Sequence, residues 1–66
     1  MNILVTGVNG FIGKNLSQSL LKRGFNVYGV GLKESCAISG LNSYVSASVL
    51  DYKKISKVIE NMDIVI

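Results

Sequence analysis

The stretch VTGVNGFIG (5–13) carries three glycines at a regular interval, because two residues separate Gly7 from Gly10 and two more separate Gly10 from Gly13. An apolar run with β-branched residues and no polar alternation, NILVT (2–6), comes directly before them. Such a run predicts a strand that is buried on both faces, as strands of parallel sheets are. Glycine permits sharp turns and close backbone approaches, so the stretch predicts a tight turn from this strand into a helix.

A helical pattern follows the glycines, because apolar residues recur there at every fourth position. These residues are Ile12, Leu16 and Leu20, with Leu21 beside the last of them. The pattern predicts a helix over 11–23 whose apolar stripe faces the sheet, with Ser17 off the stripe. The positive charges of Lys22 and Arg23 suit the last turn of this helix, and Gly24 suits the residue that follows it.

The rest of the chain repeats the alternation of strand and helix. Strands are predicted over 26–30, 44–47 and 63–66, a loop over 32–42, and a second helix over 52–61 with Asp51 as its N-cap. The apolar face of the second helix is formed by Ile55, Val58, Ile59 and Met62. The order β-α-β-loop-β-α-β predicts parallel pairing through right-handed crossovers. The predicted fold class is therefore α/β, a single domain over 1–66 with a partial, Rossmann-like parallel sheet in strand order 3-2-1-4.

The composition excludes several classes of function. With 48% hydrophobic and 17% charged residues among 66, the chain is predicted to be globular rather than disordered. Cys36 is the single cysteine and there is no histidine, which excludes an internal disulfide and a zinc site. A reduced thiol fits a cytoplasmic location. No apolar run approaches the ~20 residues of a membrane span. The basic residues are not interleaved with aromatic residues in the way that is typical of proteins that bind single-stranded nucleic acid. The net charge of +3 suits a small anionic ligand.

Two kinds of phosphate-binding turn connect a strand to a helix through glycines. A P-loop requires G-x-x-x-x-G-K-[ST], and Gly13 and Lys14 fit the second half of that motif. Val8 and Asn15 stand at two of its four fixed positions, which argues against a P-loop. The first gap of the dinucleotide motif G-x-G-x-x-G is one residue shorter than the gap between Gly7 and Gly10. The motif also requires a strand before it and a helix after it, and both are predicted in this chain. A glycine-rich turn without a ligand is the remaining alternative.

The residues TGVNGFIG (6–13) resemble the TGxxGxxG signature of the short-chain dehydrogenase/reductases. Phe11 and Ile12 make the stretch similar to the extended branch of that family, the nucleotide-sugar epimerases, dehydratases and reductases. VYGV (27–30) is similar to the family's second strand, and SVLDYKKISKVIENMDIVI (48–66) resembles the segment that leads into its fourth strand. The resemblance covers the whole chain. It implies a domain that binds NAD or NADP and, in a complete enzyme, a nucleotide-sugar substrate.

The resemblance also implies which residues contact the dinucleotide. The motif residues that fall on positions lining the pyrophosphate are Gly7, Gly10, Phe11, Ile12 and Gly13. Gly31 stands where NAD-preferring members carry an acidic residue that binds the adenosine ribose, and Lys33 is placed to attract a 2′-phosphate, so NADP is favoured over NAD. The opposing interpretation is that Glu34 reaches back to the ribose. Ser48 stands where the family often has an aspartate that contacts the adenine.

The catalytic Tyr-x-x-x-Lys pair of the family has no counterpart in the chain. The residues four positions after its three tyrosines are Leu32, Ser48 and Ser56. No catalytic residue is therefore assigned, and the tyrosines are interpreted as sheet or surface residues. The chain is expected to be the N-terminal fragment of an enzyme, and its open strand at 63–66 is expected to make the isolated fragment self-associate. Two alternatives stay open: a non-catalytic dinucleotide-binding or sensor module, and a self-assembling fragment with no ligand.

Overall fold

Strands and helices alternate along the chain. The computed structural model describes residues 1–36, 38–48 and 50–66, except for the side chain of Tyr52. Within this part the elements are β1 (Asn2–Thr6), α1 (Phe11–Lys22), β2 (Asn26–Gly31), β3 (Ser43–Ser46), α2 (Tyr52–Ile59) and β4 (Ile64–Val65). These strands form one parallel sheet in the order β3-β2-β1-β4. The predicted fold class and strand order are confirmed, and every predicted boundary lies within two residues of the observed one.

Strand β1 occupies the centre of the sheet, because it has a partner on each side. Ile3 pairs with Val27 of β2 and with Ile64 of β4. Ile3, Leu4 and Val5 are all buried. Ile3 and Val5 join Val27 in the main core cluster, whereas Leu4 faces the other side of the sheet, since side chains alternate along a strand. This is the burial on both faces that the unbroken apolar run predicts.

Helix α1 covers one face of the sheet, where Leu20 and Leu21 pack against the core cluster. The predicted apolar stripe is wrong at its beginning, because Ile12 is 78% exposed while Ser17 is fully buried. Residues 13, 17, 20 and 21 share one face of a helix with 3.6 residues per turn. Gly13 and Ser17 therefore lie against the sheet in the first turns, where the helix is closest to it and only small residues fit.

Helix α2 lies over the opposite face of the sheet. Val58 of this helix and Met62 just beyond it line a cavity of about 230 Å³ together with Tyr28 of β2 and Val45 of β3. Asp51 is the N-cap of the helix as predicted, since its Oδ1 atom accepts a hydrogen bond from the amide of Lys54 at 3.4 Å. The helix thus begins at a defined residue, although space remains between its apolar face and the sheet.

Strand β4 forms one edge of the sheet, beside β1. The amide of Ile66 donates to the carbonyl of Leu4 at 2.9 Å. The Ile66 carbonyl accepts hydrogen bonds from both the amide of Thr6, at 2.8 Å, and its hydroxyl, at 2.7 Å. The carboxylate of Asp63 accepts a hydrogen bond from the backbone amide of Asn2 at 2.7 Å. Within the described residues no strand pairs with the outer side of β4, and the expected self-association through this edge stays a prediction.

Candidate functional site

The three glycines after β1 lie in a tight turn, and we call residues 7–13 the glycine turn. Gly7 has a φ of +60°, a conformation that residues with a side chain rarely adopt, so glycine is required where the chain leaves β1. The amide of Gly10 donates to the carbonyl of Gly7 at 3.0 Å, and the amide of Val8 donates to the carbonyl of Val30 at 3.2 Å. The turn is therefore tied to itself and to the neighbouring strand.

Gly13 lies where α1 passes closest to the turn. A Cβ atom at this position would stand 2.4 Å from the carbonyl oxygen of Gly7 and 3.0 Å from the Cα atom of Val8. Both of these are backbone atoms, which cannot yield without moving the turn itself. The absence of a side chain at Gly13 thus allows the N-terminus of α1 to lie directly over the end of β1.

The N-terminus of α1 presents unpaired amides. Its N-cap is Gly10, which has no side chain to cap the helix. The first hydrogen bond of the helix runs from the amide of Lys14 to the carbonyl of Gly10 at 2.9 Å. No acceptor among the described residues pairs with the amides of Phe11, Ile12 and Gly13. The first turn contains no acidic side chain. This end of the helix therefore carries unopposed positive partial charge, which favours an anion.

A surface pocket of about 420 Å³ opens beside the glycine turn, between β1 and β4. Its lining from the turn consists of Gly7, Gly10, Phe11, Ile12 and Gly13, and its other lining residues are Val5, Thr6, Leu16 and Ile66. Phe11 is 85% exposed and, with Ile12, gives the pocket an apolar rim. The strand order reverses between β1 and β4, and open parallel sheets bind ligands beyond the carboxyl ends of their strands at such a point.

A second pocket, of about 190 Å³, lies on the other side of Gly7, beyond the ends of β2 and β3. Its lining residues are Gly7, Val30, Gly31, Leu32, Ala47 and Ser48. Because Gly7 lines both pockets, the two adjoin at the glycine turn, and we refer to them together as the glycine groove. The groove crosses the carboxyl edge of the sheet, which is the shape that an extended ligand with a central anion requires.

The structure brings most of the sequence-predicted site residues to this groove. Those that line it are Gly7, Gly10, Phe11, Ile12, Gly13, Gly31 and Ser48. The Ser48 hydroxyl also accepts a hydrogen bond from the backbone amide of Leu50 at 3.1 Å. Lys33 does not line either pocket; it is exposed and follows Leu32, which does. Glu34, the alternative ribose ligand, is exposed as well. Their contacts with a ligand stay predictions.

Sequence reasoning missed one element of the site, a hydrogen-bonded bridge formed by Asn9 and Tyr44. The Asn9 amide nitrogen donates to the Tyr44 hydroxyl at 3.0 Å, and that hydroxyl donates to the backbone carbonyl of Lys33. Tyr44 lies in β3, as its interpretation as a sheet residue predicts, but that interpretation does not include these two hydrogen bonds. The one available signal was the position of Asn9 between two glycines of the motif, since Tyr44 lies 35 residues further along the chain.

Other kinds of site find no support in the part of the chain that the structure describes. No group of three or more Cys, Asp or Glu side chains lies close enough together there to hold a metal ion. Cys36 is a free, partly buried thiol that packs against the core. None of the helices in the described ranges is both long and apolar enough to cross a membrane.

Similar proteins share this architecture. The model of the NAD dependent epimerase/dehydratase family matches residues 3–66. A crystal structure of UDP-glucose-4-epimerase from Stenotrophomonas maltophila, with bound NAD and formylated UDP-arabinopyranose, is 30% identical with a TM-score of 0.81. The match covers 98% of this chain and 23% of that one.

A structure of UDP-glucose 4-epimerase from Thermotoga maritima with UDP-glucose is 32% identical with a TM-score of 0.74. That match covers 89% of this chain and 20% of the other, so the chain spans less than a quarter of either epimerase. No curated protein is similar enough to count as a match.

Proposed function

Because the chain belongs to the NAD dependent epimerase/dehydratase family, we propose that it supplies the dinucleotide-binding part of an epimerase, dehydratase or reductase acting on nucleotide sugars. NAD is the proposed cofactor, since the family is NAD dependent and the similar structure from Stenotrophomonas maltophila contains bound NAD. A nucleotide sugar is the proposed substrate of the complete enzyme, because both similar structures hold a UDP-sugar.

The single observation that carries this proposal is the set of unpaired amides at Phe11, Ile12 and Gly13. Backbone N–H groups at a helix N-terminus bind phosphate well, because they are free donors at the positive end of the helix dipole. Gly10 leaves this end of the helix without a side chain in front of it, and no carboxylate in the first turn repels an anion. We place the pyrophosphate of NAD at these amides.

The two pockets of the glycine groove suit the two halves of the cofactor. In dinucleotide-binding sheets the residue at the end of the second strand contacts the adenosine ribose. The pocket lined by Gly31 and Ser48 therefore suits the adenosine half. The pocket with the apolar rim of Phe11 and Ile12 then faces the nicotinamide half, on the side of β4. The nicotinamide supplies a hydride acceptor and donor, and the residues of this chain bind and orient it.

We expect the chain to bind NAD and ADP with one site per molecule, and adenosine at least about tenfold more weakly. Adenosine lacks the phosphates, and an anion at a helix N-terminus is stabilised by up to about 2 kcal/mol, where about 1.4 kcal/mol corresponds to tenfold in affinity. Titration calorimetry measures all three affinities. Adenosine binding as tightly as ADP, or no heat with NAD from a chain that circular dichroism shows to be folded, contradicts the proposal.

The control for this titration is Lys57→Gln, a variant on α2. Lys57 is exposed on the face of the sheet away from α1, and the change lowers the net charge by one. If the phosphates bind at the amides of α1, the affinity for NAD stays within about twofold of that of the original chain, since exposed charges farther apart than about 10 Å are largely screened at 0.1 M salt. A large loss with Lys57→Gln indicates diffuse attraction to the net charge instead.

A further inference from the structure

Asn9 lies in the glycine turn and is followed directly by Gly10. None of the other asparagines precedes a glycine; these are Asn2, Asn15, Asn26, Asn42 and Asn61. An asparagine before a glycine loses its side-chain amide most readily, because no side chain on the next residue hinders attack by the backbone nitrogen. The turn therefore places a reactive pair next to the amides that are proposed to hold the pyrophosphate.

The reaction requires only the two residues and water. The backbone nitrogen of Gly10 bonds to the Cγ atom of Asn9 while the bond from Cγ to Nδ2 breaks, and Nδ2 leaves as ammonia with the proton that the Gly10 nitrogen gives up. Water then opens the resulting imide ring at one of its two carbonyls. One product is aspartate, and the other is isoaspartate, whose backbone runs through the former side chain. Both products carry a carboxylic acid in place of the neutral amide.

Two hydrogen bonds restrain the reacting groups. The Asn9 amide nitrogen donates to the Tyr44 hydroxyl at 3.0 Å, and the backbone amide of Gly10 donates to the carbonyl of Gly7 at 3.0 Å. The first of these nitrogens must leave and the second must give up its proton, so both bonds oppose the reaction. The Tyr44 ring packs against the core and its hydroxyl donates to the carbonyl of Lys33, so the partner of Asn9 is itself held in place.

The side-chain amide of Asn9 lies beside the glycine groove. A Cβ atom at Gly31 would stand 2.8 Å from the Asn9 amide nitrogen, and Gly31 lines the smaller pocket of the groove together with Gly7. The first turn of α1 contains no acidic side chain. A carboxylate at residue 9 would therefore bring a negative charge close to a site that favours anions, and like charges repel.

We propose that Asn9 is a deamidation site, that its hydrogen bond to Tyr44 slows the reaction, and that the carboxylate formed weakens the binding of a dinucleotide. The chain thereby loses affinity for its cofactor with time, at a rate that depends on one hydrogen bond. The modification and its control by Tyr44 follow from the glycine turn alone. The effect on affinity rests on the proposed function, because it assigns a pyrophosphate to this turn.

The first experiment incubates the folded chain in mildly alkaline buffer and measures the reaction at each asparagine by peptide mass spectrometry. Asn9 is expected to react fastest, and Asn42, which precedes a serine, is the internal comparison. In Tyr44→Phe the rate at Asn9 should rise about fivefold, which corresponds to about 1 kcal/mol, the usual net contribution of one hydrogen bond. Tyr28→Phe should leave the rate unchanged, because Tyr28 lines the cavity beneath α2, on the other face of the sheet.

The second experiment tests the effect of the product with Asn9→Asp, which carries the carboxylate from the start. Calorimetry should show an NAD affinity at least about threefold lower than that of the original chain, because the carboxylate repels the pyrophosphate. The affinity for uncharged adenosine should stay within about twofold.

The matched control for the added charge is Asn42→Asp. The Asn42 Oδ1 atom accepts a hydrogen bond from the amide of Val27, near the amino end of β2, at 3.2 Å, and an aspartate oxygen accepts the same bond. This position lies at the opposite edge of the sheet from the glycine turn. The NAD affinity of Asn42→Asp should stay within about twofold of the original value, because exposed charges that far apart are largely screened.

Each outcome decides a separate statement. If Asn9 reacts no faster than Asn42, the site is overturned. An unchanged rate in a folded Tyr44→Phe chain overturns the role of the hydrogen bond; if that variant does not fold, equal rates at Asn9 with and without denaturing urea overturn it instead. Asn9→Asp binding NAD as tightly as the original chain overturns the effect on affinity. If the folded original chain binds no NAD, the proposed function and this effect fail together, whereas the rates at Asn9 still decide the modification.

Discussion

Replacing Gly13 with alanine is expected to lower the free energy of unfolding by about 3 kcal/mol, the upper end of the usual cost of forcing an atom into a packed site. The added Cβ atom would stand 2.4 Å from the carbonyl oxygen of Gly7 and 3.0 Å from the Cα atom of Val8. Relief requires α1 to move away from β1 or the glycine turn to change its conformation. Small domains have few kcal/mol to lose, so a large share of the molecules should unfold.

Urea denaturation followed by circular dichroism measures this loss. The control is Ser19→Ala, since Ser19 is exposed on the same helix and the change should alter stability by no more than about 0.5 kcal/mol. Helix propensity alone makes the opposite prediction for Gly13→Ala, because alanine is favoured over glycine inside a helix by about 1 kcal/mol. A Gly13→Ala chain as stable as the original, or more stable, therefore contradicts the close approach of α1 to the turn.

Replacing Gly10 with alanine, three residues earlier, is expected to keep the fold and reduce NAD affinity by at least about tenfold. The added Cβ atom would stand 3.3 Å from the carbonyl oxygen of Gly7, which a shift of a few tenths of an ångström accommodates. Gly10 also has an extended backbone, with a φ of −74°, that alanine adopts without strain. The methyl group would, however, enter the space before the free amides, and about 1.4 kcal/mol of lost contact is tenfold in affinity.

The two variants thus separate the roles of two glycines in one turn. Gly13→Ala should lower the free energy of unfolding in the denaturation experiment. Gly10→Ala should keep that free energy within about 1 kcal/mol of the original chain's value and should lower the NAD affinity in the titration. Adenosine, which lacks the pyrophosphate, should lose little affinity for the Gly10→Ala chain. If Gly10→Ala binds NAD as tightly as the original chain, the pyrophosphate does not lie at the amides of α1.

The sequence predicts the fold well, because each element has a local signal. The unbroken run of β1 predicts burial on both faces, and Asp51 is followed by a helix that it caps. The spacing of Gly7, Gly10 and Gly13 predicts the turn, since Gly7 requires a conformation that glycine adopts easily and Gly13 leaves no room for a side chain.

Features that depend on tertiary contacts could not be predicted in the same way. The apolar periodicity of α1 places Ile12 toward the sheet, but the close approach at Gly13 rotates the helix so that Ser17 is buried instead. The bridge between Asn9 and Tyr44 depends on the register of β3 beside β2, which pairs Tyr44 with Gly29. Nothing in the local sequence indicates that the phenol reaches over Gly31.

The most direct test of the account is a titration of the folded, ¹⁵N-labelled chain with NAD, followed by amide chemical shifts. If the pyrophosphate binds at the N-terminus of α1, the largest shifts are expected at the free amides of Phe11, Ile12 and Gly13, with smaller ones at Gly31 and Ser48. The amides of α2 (Tyr52–Ile59) should move little, because this helix lies away from the glycine groove. Shifts concentrated on α2, or spread evenly over the chain, would contradict it.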